Sequence, residues 1–264
     1  MTPLPESVLD NLLSFSWAVP SDVILRATEA IEWSSHSFTS PVLDIGCGEG
    51  NIGAVVFFNQ GKIDIGMDLD PDGIVRAKKS KKYKKLIVGD ARKIPLPNSS
   101  VNTVISNSTF EHIEVSDIKA VSEVSRVLRS GGKFFITVPS DRYRDTLSGL
   151  VSPKEFTWYN DRVMHYRYRD LSDWQKILKK NNLKIIHHHY YFSKSIIPVW
   201  YRLFKIAVTK INGRELWSYI RDSRFSKFLP KKIIIQLEKI ILRPLITQAT
   251  KSDGTWHFII AQKS

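Results

Sequence analysis

The sequence predicts an α/β fold in which a doubly wound, mostly parallel seven-stranded sheet carries a helical insertion before its last strand. Three observations carry this reading. Strand-sized apolar runs alternate with amphipathic stretches through residues 41–140, a glycine-rich turn follows the first run directly, and an aspartate closes each of the next two. Parallel strands joined through helices need helices on both faces of the sheet, and that arrangement gathers the strand ends along one edge.

The elements follow in order. In PSDVILRATEAIEW, a Ser/Asp start precedes Val23, Ile24, Ala27 and Ile31 at helical spacing, which predicts a helix packed on the sheet. PVLDI is the first strand, GCGEG a tight turn, and NIGAVVFFNQ the helix after it. KIDIGMD, KKLIVGD, VNTVISN and GKFFITVPS read as further strands, with helices at PDGIVRAKKSKKY and SDIKAVSEVSRVLRS. The second of these helices is expected to end at Arg129-Ser130-Gly131-Gly132 as a basic, glycine-rich C-cap. Beyond Pro139, LSDWQKILKKNNL reads as a capped helix, KIIHHHYYF as a strand and GTWHFIIAQKS as a final alternating strand. The expected organisation is one domain from residues 1–192 and 252–264, interrupted by a basic, mostly helical insertion at 193–251.

With 264 residues, 42% of them hydrophobic and 25% charged, the chain can bury a full core, and a wholly disordered or fibrous protein is excluded. A single cysteine, Cys47, rules out an internal disulfide and fits a reducing cytoplasm. The N-terminus lacks a signal-peptide pattern, and no apolar run reaches the roughly 18 residues of a membrane span. A cytoplasmic protein is expected, or one peripheral at the inner membrane face. The formal charge of +13 favours an acidic partner.

A G-x-G-x-G turn between strand and helix lets backbone N–H groups and a helix N-terminus approach a ligand, because glycine has no Cβ in the way. Here the glycines are Gly46, Gly48 and Gly50. Asp44 precedes them. Asp68 closes the second strand at a spacing that suits ribose hydroxyls, and Asp90 closes the third, within reach of an adenine amine. Three carboxylates at the ends of successive strands point to one ligand in the crevice along that edge.

The stretches VLDIGCGEG, IGMDLDP, LIVGDARKIPLPNSSVNTVISNSTFEHI and VLRSGGKFFITVPS resemble the class I S-adenosylmethionine-dependent methyltransferases, in particular the methyltransferase type 11 and ubiquinone/menaquinone methyltransferase-like group. The resemblance covers about residues 40–140 and implies a Rossmann-like fold, S-adenosyl-L-methionine as cofactor and methyl transfer as the reaction. It places the methionine part of the cofactor over Gly46, Cys47, Gly48 and Gly50 near Asp44. Asp68 would bind the ribose, Leu69 would pack on the adenine, Asp90 and Ala91 would meet its polar edge, and Ser106 and Asn107 would face the sulfonium. Cys47 reads as a small buried residue of the turn.

Methyl transfer needs alignment and exclusion of water, and needs a base only when the acceptor atom must lose a proton. His112, in STFEHI, and His165, in MHYRYR, are the candidates for that role, with a loop-holding role for His112 as the alternative. No metal is expected. The run His187-His188-His189 alternates across a strand, so its three imidazoles cannot converge on one ion.

Residues 193–251 hold thirteen Lys/Arg against three Asp/Glu, a balance of +10. Ile197, Trp200, Tyr201, Phe204, Val208 and Ile211 can share one helical face, either as the core side of a cap over the substrate pocket or as a face laid on an anionic membrane. The acceptor expected is a small or lipid-linked molecule. A nucleic-acid or protein methyltransferase, or a non-catalytic cofactor-binding module, stands as the alternative. Nucleic acid is disfavoured because SNSTFEH replaces the [D/N]-P-P-[Y/F] motif of exocyclic-amine methylation, and no Pro-Cys motif occurs.

Overall fold

The computed structural model describes residues 4–222 and 231–264. Five parallel strands come first: β1 (Val42–Ile45), β2 (Ile63–Asp68), β3 (Tyr83–Val88), β4 (Val101–Asn107) and β5 (Leu128–Pro139). β6 (Leu183–Ser193) and the last strand, β9 (Gly254–Lys263), complete a seven-stranded sheet in the order β3-β2-β1-β4-β5-β9-β6. β9 runs antiparallel to both neighbours, with Ile259 opposite Ile136 on one side and His188 on the other. A two-residue pair, β7 (Lys210–Ile211) and β8 (Arg214–Glu215), stands apart.

Strand alternation sends successive side chains to opposite faces, and each face has its own core. On one side Val42, Ile105, Phe135, Phe258 and Ile260 pack with α1 (Glu6–Ser16), α2 (Pro20–Ser34) and α3 (Asn51–Val56). On the other, Leu43, Val104, Phe134, Ile136 and Ile259 meet α5 (Asp117–Val127) and α8 (Leu171–Lys180). The expected starts are in place: Pro20 opens α2, and the Asp170 carboxylate caps α8 by accepting from the Asp173 N–H at 2.8 Å. α4 (Pro71–Ala77) is capped likewise by Asp70.

One expected boundary is wrong. α5 ends at Val127, and Leu128 is already extended and paired with Val101, so Arg129–Gly132 belong to β5 and do not cap the helix. The reason lies in the sheet: its register shifts between Val101 and Thr103, and Gly131, at φ +75°, supplies the irregular residue there.

After β5 come two helices that the sequence pattern did not reveal, α6 (Asp141–Ser148) and α7 (Pro153–Val163). Within the insertion, α9 (Ile197–Val208), α10 (Leu216–Asp222) and α11 (Lys231–Ala249) are helical as expected. Residues 223–230, with Arg224, Lys227 and Pro230, lie outside the described residues. The apolar face of α9 turns inward, because Ile197, Trp200 and Tyr201 are buried in the main core. That overturns the reading of this aromatic face as a membrane surface. Ile211 does not share it: the helix stops at Val208 and Ile211 is exposed. No helix among the described residues is long and apolar enough to cross a membrane.

Candidate active site

The turn after β1 is held by the strand beside it. Gly46 and Cys47 donate their N–H groups to the Met67 carbonyl at 2.8 and 3.1 Å, and Gly48 donates to Asp68 Oδ2 at 2.8 Å. Gly46, Gly48 and Gly50 all have positive φ. A Cβ on Gly46 would stand 2.1 Å from Thr109 Oγ1, so the turn and the segment after β4 close on each other through that missing carbon.

Along this edge opens a cavity of about 330 Å³, lined by Gly46, Asp68, Leu69, Asp90, Ala91 and His112 of the expected residues. Met67, Arg92, Thr109, Ile113, Glu114 and Tyr166 complete most of its wall. Asp68 faces it while accepting from Gly48 and Asp70, leaving lone pairs for a diol. The Asp90 carboxylate is clamped by the Arg92 guanidinium at 2.7–3.1 Å, which holds it below the ordinary carboxylate range. Leu69 is exposed and forms an apolar flank.

Other expected residues stand behind this wall. Asp44 is buried and accepts a 2.6 Å hydrogen bond from the Tyr83 hydroxyl. Burial pushes its carboxyl up to about 7, against the Tyr83 hydrogen bond and aided by the charge of Asp68. Cys47 is buried, and its thiol is pushed up by burial and by Asp44 and Asp68, as suits an inert residue. Ser106 is buried and donates to the Ile45 carbonyl. The Asn107 Oδ1 accepts from Trp33 Nε1 at 2.8 Å and Thr137 Oγ1 at 2.9 Å, so its amide ties α2 to β4 and β5.

A second cavity, of about 340 Å³, adjoins the first, and His112 lines both. Its walls are aromatic: Tyr159, Trp200, Phe204, Trp217 and Trp256. Its polar end combines Arg26, Ser108, Glu111, His112 and His165. Arg26 is fixed by Asp22 and by buried Glu29, to which Ser108 also donates at 2.8 Å. Sequence reasoning reached His112 and His165 but missed Glu111, whose only signal was its place beside His112 in STFEHI. Of the aromatic wall, Trp200 and Phe204 were expected on the inner face of a cap, whereas Tyr159, Trp217 and Trp256 were missed, since they come from segments far apart in the chain. His187 and His189 share one face with Glu32, while His188 lies on the other with His257, as strand alternation requires.

Glycine turn, strand-end carboxylates and two adjoining cavities, one beside Asp68 and Asp90 and one walled by aromatic rings, lie together at one edge of a doubly wound sheet. Residues 43–136 match the methyltransferase domain family. A probable S-adenosylmethionine-dependent methyltransferase of Mycolicibacterium smegmatis is 33% identical over 99 residues, 38% of each chain. An uncharacterized methyltransferase of Bacillus subtilis is 30% identical over 154 residues, covering 54% of this chain and 56% of the relative. The chain thus spans about half or less of these relatives' lengths. A Thermotoga maritima structure described as a possible histamine N-methyltransferase aligns with a TM-score of 0.58 at 14% identity, over 97% of this chain and all of that one, and shows the same fold. The match of residues 43–136, these relatives and the shared fold support a class I S-adenosylmethionine-dependent methyltransferase domain.

Two outcomes are expected. Asp68→Ala should weaken S-adenosylhomocysteine binding by about 1.5–3 kcal/mol in calorimetry, and unchanged affinity in a folded variant would remove Asp68 from the site. Asp44 gives a pH signature. Its folded carboxyl keeps a proton up to about 7 while the unfolded one loses it near 3.8, so the native state binds more protons between those values and loses stability as pH rises through that window. Asp44→Asn should flatten this slope, with a gain relative to wild type on the order of 1–3 kcal/mol above about pH 7, read from denaturant unfolding at several pH values.

Proposed function

We propose that the protein transfers a methyl group from S-adenosylmethionine to a small or lipid-linked acceptor seated in the aromatic cavity. The observation that carries this reading is the shared wall: His112 borders both the cleft beside Asp68 and the aromatic cavity, so a methyl donor in one faces an acceptor in the other. The cleft fits the cofactor, since Gly46 and Asp68 both line it and the Asp68 carboxylate keeps lone pairs for a diol. S-adenosylmethionine supplies a methyl carbon activated by a positive sulfur. The chain's own work is to bind, orient and exclude water.

Tyr159, Trp200, Phe204 and Trp256 enclose an apolar acceptor body, while Arg26, Glu111, His112 and His165 meet its polar head. The Trp256 indole N–H is buried in this wall without a partner and is free to donate to an acceptor. His112 donates Nδ1–H to the Met164 carbonyl at 3.1 Å; that fixes a lone pair on Nε2, and partial desolvation beside the cavities lowers the pKa of the ring. A cell extract incubated with labelled S-adenosylmethionine should deliver label to small-molecule or lipid fractions. Label in protein or nucleic acid instead would overturn the acceptor class.

Peripheral attachment to an anionic membrane is part of the same proposal, now through α11. Ile233, Leu237, Ile240 and Ile241 recur on one side of that helix and are exposed, Ile240 by 71% and Ile241 by 64%. The opposite side, with Leu242, Ile246 and Ala249, is in the core. Exposed cations at Lys194, Arg202, Lys210 and Lys251 lie in the same segment. An apolar stripe on a strongly basic chain suits an anionic interface. The protein should float with anionic vesicles at low salt and less at high salt. Ile240→Glu/Ile241→Glu should sink it without loss of S-adenosylhomocysteine binding. Flotation unchanged by that pair would discharge α11 from the role.

A further inference from the structure

The polar end of the aromatic cavity contains a buried carboxylate that no other described residue satisfies. Glu111, on the short turn Phe110–His112, is 2% exposed, and both of its carboxylate oxygens lack a hydrogen-bond partner. A buried carboxylate is costly without a counter-charge or donors, and native structures supply one or leave room for a ligand that does.

The two nearest imidazoles are presented alike. The Met164 carbonyl can only accept, so the 3.1 Å contact fixes hydrogen on Nδ1 of His112 and a lone pair on Nε2. His165 Nδ1 lies 3.2 Å from the Tyr168 hydroxyl, whose own hydrogen goes to Asn160 Oδ1 at 2.6 Å. The phenol oxygen must therefore accept, and His165 too keeps its lone pair on Nε2. The rings stand 5.3 Å apart between centroids, and one donor atom from each of Glu111, His112 and His165 lies within 4.8 Å of the others.

We propose that Glu111, His112 and His165 form a binding site for one divalent first-row transition metal ion in the acceptor cavity. Two imidazoles and one carboxylate suit Zn²⁺, Fe²⁺, Mn²⁺ or Co²⁺ better than the all-oxygen preference of Ca²⁺ or Mg²⁺, and three ligands leave positions open toward the cavity. The Met164 carbonyl and the Tyr168–Asn160 pair are the outer partners that orient such ligands. Resting on the methyltransferase reading, the site favours an oxygen acceptor: a hydroxyl bound at an open position loses its proton to water more readily, the oxygen takes the methyl, and the C–S electron pair leaves with sulfur as S-adenosylhomocysteine.

The test uses the full chain, stripped with chelator and titrated with Co²⁺. Visible d–d bands saturating at about one ion per chain are expected. Glu111→Gln and His165→Gln should each abolish them, Tyr168→Phe should weaken Co²⁺ affinity about 10–100-fold with all three ligands kept, and His187→Gln should change nothing. Circular dichroism confirms that each variant is folded. No stoichiometric Co²⁺ binding by wild type, or bands that survive in the folded Glu111 and His165 variants, overturns the site. S-adenosylhomocysteine binding is measured on the same samples by calorimetry. Its failure with Co²⁺ binding intact would sink the methyltransferase reading and leave the metal site standing.

Discussion

Gly46 has room for a hydrogen and for nothing larger, and much of the site follows from that. Because no Cβ separates it from Thr109, the chain leaving β4 packs directly on the chain leaving β1. Thr109 Oγ1 then reaches the Ile45 and Asn107 carbonyls, and the following turn carries Glu111 and His112 to the boundary of the two cavities. The same approach places the Gly48 N–H on Asp68, joining the turn to β2. One close contact thus sets the cleft beside Asp68 and the aromatic cavity next to each other.

The first five strands were legible because local pattern and tertiary role agree there. VLDI, IDIGMD and VNTVISN are short strand-sized segments whose Val, Leu, Ile and Met fill the cores on the two faces, and IDIGMD ends on Asp68, which faces the cleft. Asp68 and Asp90 could be found by counting along the chain. Trp256, Tyr159 and Trp217 could not: the cavity they wall exists only after β9, α7 and α10 have packed, and nothing in their neighbourhoods distinguishes them from core residues. The helix end at Arg129–Gly132 was misplaced for a related reason, because basic residues and glycines serve a C-cap and a sheet irregularity equally well.

Charge in the insertion was read correctly as a sum and incompletely as a surface. Lys239 is buried against Glu6 and Asp10 of α1, Arg243 also reaches Glu6, and Lys205 is paired with Glu155. Those cations fasten the insertion to the rest of the molecule. A sequence count cannot separate a cation that holds two helices together from one that faces solvent, whereas the apolar stripe of α11 becomes visible only once its other side is seen to be occupied.

β9 lies between β5 and β6, both of which precede it in the chain. During synthesis the slot it fills must therefore stay open while everything from Asp141 to Asp253 emerges, with two bare strand edges facing each other. Trp256 arrives on that strand, so the aromatic cavity closes last, after the edge carrying Asp68 and Asp90 can already form. A nascent chain stalled before Gly254 would leave the facing edges of β5 and β6 unpaired, and unpaired edges are templates for other chains.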